Sequence, residues 1–181
     1  MWWIILIIIV GILLYLWVTY NSLINLRNKV RDQYSQIDVE LKRRFDLVPN
    51  LVETVKGYTK HEKETLESVV NARNSYVSAD SMDSKLKADG ELTSAISKLF
   101  ALTESYPDLK ANTNYMNLQT ELAEIEQKIV YSRQFYNDAV LKLNNKIEMF
   151  PSNLIAKKFN FQQEKFFEAV EAEKENIKVK F

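Results

Sequence analysis

Cysteine is absent from this 181-residue chain, which removes disulfides, zinc–thiolate sites and thiol catalysis together. The same absence leaves the redox compartment unmarked. A single histidine, His61, leaves too few ligands for most catalytic or metal-binding constellations. Three glycines and three prolines supply little of the punctuation that hairpins need, so the chain reads as helical. The glycines Gly11, Gly57 and Gly90 are also too scattered to form a phosphate-cradling loop. Excess charge is missing as well, with 24 Lys and Arg against 24 Asp and Glu. A phosphate backbone is held by surplus cations, so no nucleic-acid partner is expected.

Charge is distributed unevenly. No side chain from Met1 to Leu26 carries one, and Trp2 through Val18 is almost wholly apolar. At ~1.5 Å of rise per residue, about 18 helical residues cover about 27 Å, close to the hydrocarbon thickness of a bilayer. The mean hydropathy of −0.26 therefore conceals a split. Beyond the leader the chain averages about −0.6 on the same scale, which is the value of a soluble domain. The leader has no basic region before it, exceeds the length of a signal-peptide core, and ends in bulky Trp17-Val18-Thr19-Tyr20 rather than a small-residue cleavage site. It is expected to remain as a transmembrane anchor over residues 1–20, with Trp2, Trp3, Trp17 and Tyr20 as interfacial aromatics. A buried core helix would instead show polar contact positions across five turns. Arg27, Lys29 and Arg31 follow the anchor, and the positive-inside rule then puts the domain over residues 21–181 in the cytoplasm. Asp32, Asp38 and Glu40 come soon after and narrow that charge margin.

From Leu23 the apolar positions Leu26, Val30, Tyr34, Ile37, Leu41, Phe45, Val48, Val52 and Val55 recur at steps of three and four, one stripe on a long helix. Nothing separates this stripe from the leader. Pro49 lies inside it and predicts a kink near Asp46–Pro49. Gly57 fits a left-handed C-terminal cap, and Thr59 with Glu62 fits a capping box opening a second helix. That helix carries Leu66, Val69, Val70, Tyr76 and Val77 on one side, and Ser78–Gly90 reads as a solvated loop. A third helix, about Glu91 to Glu104, presents Leu92, Ile96, Leu99, Phe100 and Leu102, and Tyr106-Pro107 ends it. From Leu118 a heptad stripe runs through Leu122, Ile125, Ile129, Ser132, Tyr136, Val140, Leu143, Ile147 and Phe150, with a stutter at Tyr136 and a stop at Pro151. A short helix near Asn153–Lys158 and an aromatic-rich segment (Phe159, Phe161, Phe166, Phe167) follow. Alternating Ile177, Val179 and Phe181 suggest an extended tail docked on the bundle, with a frayed end as the equal alternative. The predicted fold is all-α: an N-terminal transmembrane helix followed by an antiparallel four-helix bundle with long coiled-coil-like helices.

Chemistry finds little foothold. The zinc motif H-E-x-x-H needs a second histidine where Thr65 stands, and the di-iron motif Glu-x-x-His needs a carboxylate where Tyr58 stands. No spaced cluster of acids suggests a hard-cation site. The expectation is no metal, no cofactor, no catalytic residue and no enzymatic activity. Arg73 falls between Val70 and Tyr76 on one stripe, and Arg133 beside Tyr136 on another. A guanidinium at a helix seam calls for a partner, for which Asp38, Asp46 and Glu126 are candidates. Either these arginines form a polar layer that fixes register or creates a recognition site, or their stems lie along the seam edge. Lys42-Arg43-Arg44 reads as a solvated face, with a docking patch as the alternative. Arg73, Arg133, Tyr136, Phe166 and Phe167 mark the candidate seam or partner surface.

Several strings recur together: Tyr20-Asn21, Arg44-Phe45-Asp46-Leu47-Val48-Pro49-Asn50-Leu51-Val52, Val55-Lys56-Gly57-Tyr58, Ala72-Arg73, Tyr106-Pro107-Asp108-Leu109-Lys110-Ala111, Arg133 with Tyr136-Asn137, Asn144, Phe150-Pro151, Phe166-Phe167 and the terminal Lys178-Val179-Lys180-Phe181. Their order and spacing resemble the LemA family of bacterial membrane proteins over nearly the whole chain. The resemblance implies one N-terminal membrane helix, a helical-bundle domain and a place in the bacterial cell membrane. It also implies membrane-protein partners, membrane proteases among them, and self-association, but no defined activity. Departures include Ile125 where threonine is frequent, Leu143 in place of an aromatic, and Asn160 where glycine is usual. The expected function is a membrane-anchored helical scaffold or adaptor that binds membrane proteins and further copies of itself. The alternatives are a regulator of a membrane protease, a membrane-shaping oligomer or an enzyme.

Overall fold

The stripe beginning at Leu23 does continue from the leader without a break. Helix α1 runs from Trp2 to Lys56, 55 residues, with Pro49 inside it. The computed structural model describes residues 1–59 and 62–167, and every regular element among them is helical. His61 and the alternating Ile177, Val179 and Phe181 lie outside the described residues. After α1 come α2 (Lys63–Val77), α3 (Met82–Thr103), α4 (Pro107–Lys110), α5 (Thr113–Glu148) and α6 (Ser152–Lys158).

Helix ends depart from the sequence expectations more than helix bodies do. Gly57 follows the last residue of α1 but keeps a negative φ, so no left-handed cap forms there. Thr59 does not open α2. Its hydroxyl and its amide both donate to the Val55 carbonyl, at 3.1 Å each, so it closes α1 instead. Glu62 precedes α2 with no capping side-chain bond. The solvated loop expected over Ser78–Gly90 is largely helix. Ser81 and Ser84 form a reciprocal capping box, at 3.1 and 3.2 Å, and α3 starts at Met82. Two features hid this start: the box uses serine where glutamate is usual, and the first buried position, Ala88, is too small to stand out as apolar. At the far end of α5 the helix stops at Glu148, so Phe150 lies past the stripe and is exposed.

The chain divides into two compact units. The first comprises Met1–Ile37 with Val130–Phe167. Its buried residues are Thr19, Leu23, Val30 and Ile37 of α1, Tyr136, Ala139, Val140, Leu143 and Asn144 of α5, and Ser152, Ile155 and Ala156 of α6. Tyr34 meets Tyr136 at 6.4 Å between rings, whereas Tyr20 meets Phe159 at 4.8 Å. Gln163, four residues after Phe159, bonds back to Glu148 at the end of α5, so the segment that meets Tyr20 lies at that end and the two helices run antiparallel in this unit.

The second unit spans Asp38–Ile129. Leu41, Phe45, Val48, Leu51 and Val55 of α1 are buried in it, together with Val69 and Ala72 of α2. Ala88, Leu92, Ala95, Ile96 and Leu99 of α3, Leu109 of α4, and Tyr115, Leu122, Ile125 and Ile129 of α5 complete its core. Helices α2 and α3 pack on each other across a short turn. Phe45 stacks on Tyr76 with ring centroids 3.9 Å apart.

Candidate functional site

The first surface of interest is the bare part of α1. Every large apolar side chain from Met1 to Val18 is at least 40 % exposed, yet Thr19 is only 2 % exposed and Leu23 is fully buried. A helix that is apolar all round and uncovered is stable only in an apolar medium. This segment is long and apolar enough to cross a membrane. Trp2 and Trp3 stand exposed at one end of it and Trp17 at the other. Tyr20 packs instead against Phe159 and Phe161. The guanidinium of Arg27 lies over the Phe161 ring at 5.3 Å, a cation–π contact, while Lys29 and Arg31 face solvent.

The second feature is a main-chain clamp on α5. Asn144 donates from Nδ2 to the Glu164 carbonyl at 2.9 Å and accepts from the Glu164 amide at 3.0 Å. Asn137 repeats the pattern with Phe167, at 3.0 and 2.8 Å. Two turns of helix separate the asparagines, about 10.5 Å, and three residues of extended chain cover about 10 Å, so the two spacings match. Between them the Tyr136 hydroxyl donates to the Lys165 carbonyl at 3.1 Å, and its ring meets that of Phe167 at 4.4 Å. Burial pushes the Tyr136 phenol up, and the nearby Glu164 carboxylate and Tyr34 add to it. Phe166 points outward and is 47 % exposed. The clamp reads backbone rather than side chains, which is why a scan for charged or aromatic motifs missed it. The available signal was two asparagines seven residues apart on one helix face.

The third feature is a charged layer in the second unit. Arg44, only 2 % exposed, pairs with buried Asp89 at 2.6 Å and reaches Glu126 at 3.6 Å. The basic triplet is therefore not one solvated face: Lys42 and Arg43 pair at the surface with Asp46 and Glu121, and Arg44 turns inward. Its spacing gave the signal, three residues after Leu41 and four before Val48, both fully buried. Asp89 escaped notice because it lies in the stretch read as a loop. Lys85 pairs with Asp38 at 2.5 Å and lies 5.7 Å from the Tyr76 ring centre. Burial first, and then the Asp38 carboxylate, push the Tyr76 phenol up to about 12. Arg73 and Arg133 are each part-exposed, on α2 and α5 respectively. Arg133 lies one turn before Asn137 and so on the approach to the clamp.

Lys42, Arg43, Arg44 and Lys85 form ion pairs with Asp46, Glu121, Asp89 and Asp38. Among the described residues no group of three His, Cys, Asp or Glu side chains could hold a metal ion.

Helices as every regular element among the described residues, with a first segment uncovered and long and apolar enough to cross a bilayer, fit an all-helical membrane protein. The description of the LemA family matches residues 33–181, and the chain belongs to that family. Protein LemA of Metamycoplasma hominis is 28% identical over 173 residues, which cover 94% of this chain and 79% of that protein. Magnetosome protein MamQ 2 of Paramagnetospirillum magneticum is 23% identical over 175 residues, covering 82% of this chain. Magnetosome protein MamQ of Magnetospirillum gryphiswaldense is 21% identical over 174 residues, again covering 82% of this chain. The chain spans 64% of the length of each of these two magnetosome proteins.

Proposed function

We propose that this chain is a membrane-anchored, non-catalytic helical scaffold. Residues 1–20 cross the bilayer once, and residues 21–181 form an antiparallel four-helix bundle on the cytoplasmic side that binds membrane proteins and further copies of itself. One observation carries the reading: α1 passes from a bare apolar segment into a buried stripe with no linker, the change falling between Val18 and Thr19. A domain joined to its anchor by continuous helix is held at a fixed height above the lipid, which suits presentation of a surface to a membrane neighbour. Val130, Tyr131 and Phe135 on α5 offer such a surface, being 44 %, 50 % and 59 % exposed. Arg27, Lys29 and Arg31 beyond the span support the cytoplasmic side.

The absence of native cysteine makes the test clean. A Phe135→Cys chain is expected to resist a membrane-impermeant maleimide in intact cells and to react after lysis. A photo-crosslinker at the same position, in native membranes, is expected to capture integral membrane proteins or the chain itself. Labelling in intact cells would overturn the orientation, and capture of neither class would overturn the scaffold role.

A further inference from the structure

We infer that the turn joining α5 to α6 is a second, shallow membrane contact, seated in the headgroup layer of the bilayer that α1 crosses. The inference rests on the anchor reading above and adds a surface to it. Two measures set the height of this tip. Glu148 lies twelve residues beyond Tyr136, about 18 Å along the helix, and the antiparallel path down α1 from Tyr34 covers the same distance by Ser22. The tip residues after Glu148 are therefore level with Asn21 and Tyr20. Phe159 and Phe161 after α6 also contact Tyr20 directly, at 4.8 and 6.0 Å between rings. Burial of α1 begins at Thr19, one residue away. The tip thus ends where the bare apolar segment starts.

Its surface suits that position. Met149, Phe150, Leu154 and Phe159 are 64 %, 78 %, 62 % and 54 % exposed, the wrong side chains to leave in water at one end of a helical unit. Lys157 and Lys158 are exposed three and four residues after Leu154, on the same side of α6. Apolar groups that reach down, flanked by lysines whose stems extend alongside them, are the composition of an interfacial segment on anionic lipid. Glu148 is the acidic group nearest in sequence, and it accepts a hydrogen bond from Gln163 at 2.6 Å. The described chain after α6 does not cover the tip. It climbs away, reaching Asn144 at Glu164 and Asn137 at Phe167. Continuity with the anchor and the lysine pair single out lipid as the occupant.

Single nitroxide labels on the full chain test this in vesicles of phosphatidylcholine with phosphatidylglycerol. Leu154→Cys is the probe, Val10→Cys the lipid reference and Lys142→Cys the aqueous reference; all three residues are exposed, so none of the labels disturbs a core. The label at 154 is expected to collide more with dissolved oxygen than with a water-soluble nickel chelate, at a ratio between the two references. That ratio should fall several-fold toward the aqueous reference in Lys157→Gln/Lys158→Gln chains or when phosphatidylglycerol is omitted. A ratio at 154 equal to that at 142 overturns the inference. Shielding of 154 from both reagents overturns it too, by showing a protein surface such as a second copy on the tip. An aqueous ratio at residue 10 would mark failure of the anchor reading itself.

Discussion

Arg44 and Asp89 make the least forgiving contact at the scale of single residues. Both are almost fully buried and bonded at 2.6 Å, so removing one partner takes from the other its closest counter-charge, and Arg44 then keeps the longer pair with Glu126 at 3.6 Å. Asp89→Asn or Arg44→Met is expected to cost about 3–5 kcal/mol, and joint replacement by Arg44→Met/Asp89→Leu to recover most of it, read as urea midpoints of the detergent-solubilised chain. Asn160 shows the opposite case, a position with room to improve. It sits at φ 54, in the left-handed region, and the Phe161 amide beyond it donates to the Ala156 carbonyl at 2.9 Å to close α6. Glycine adopts this conformation without strain. Asn160→Gly should raise stability by up to about 1 kcal/mol, and Asn160→Val should lower it by about 1–2 kcal/mol, measured by thermal unfolding. Tyr76 gives a pH signature. Its phenol is pushed from 10.0 to about 12, so the folded state favours the neutral form. That contribution is present below pH 10 and is lost as pH rises from 10 through 12. The difference in tyrosinate absorbance between the parent chain and Tyr76→Phe should report a late-titrating phenol, and Asp38→Asn should bring it back toward its ordinary value.

At the scale of elements, the clamp on α5 invites direct measurement. Asn137 and Asn144 hold both polar groups of Phe167 and Glu164. In Asn137→Ala/Asn144→Ala the amides of Glu164 and Phe167 should exchange hydrogen at least tenfold faster while the central turns of α5 keep their protection, because each lost bond contributes about 1 kcal/mol. How much of this architecture the sequence disclosed depends on what kind of interaction builds each part. The bodies of α1 and α5 were legible because Leu41, Phe45 and Val48, or Ile125 and Ile129, repeat large apolar groups at helical spacing. The start of α3 was not, since Ser81, Ser84 and Ala88 act through a cap and close packing of small side chains. Arg44 was misassigned because its neighbours Lys42 and Arg43 do face solvent, and only its partner Asp89 on another element reveals the difference. The clamp was illegible for a related reason: asparagine bound to main chain leaves no pattern in the segment it holds.

At the scale of the molecule, one helix is proposed to join two media. On the proposed reading, the apolar first third of α1 needs lipid for the same reason that the rest needs the core: each buries its side chains only where water is absent. Length, composition and the switch at Thr19 all place that change of medium near residue 19. The family match begins at residue 33, beyond the bare apolar segment. The most direct test of the whole account is to wash isolated membranes with alkaline carbonate and take the intact mass of what remains. The account predicts that the chain stays with the membrane pellet at its full 21.2 kDa. Release into the wash, or a retained species lighter by its first ~20 residues, the length of one membrane helix, would contradict it.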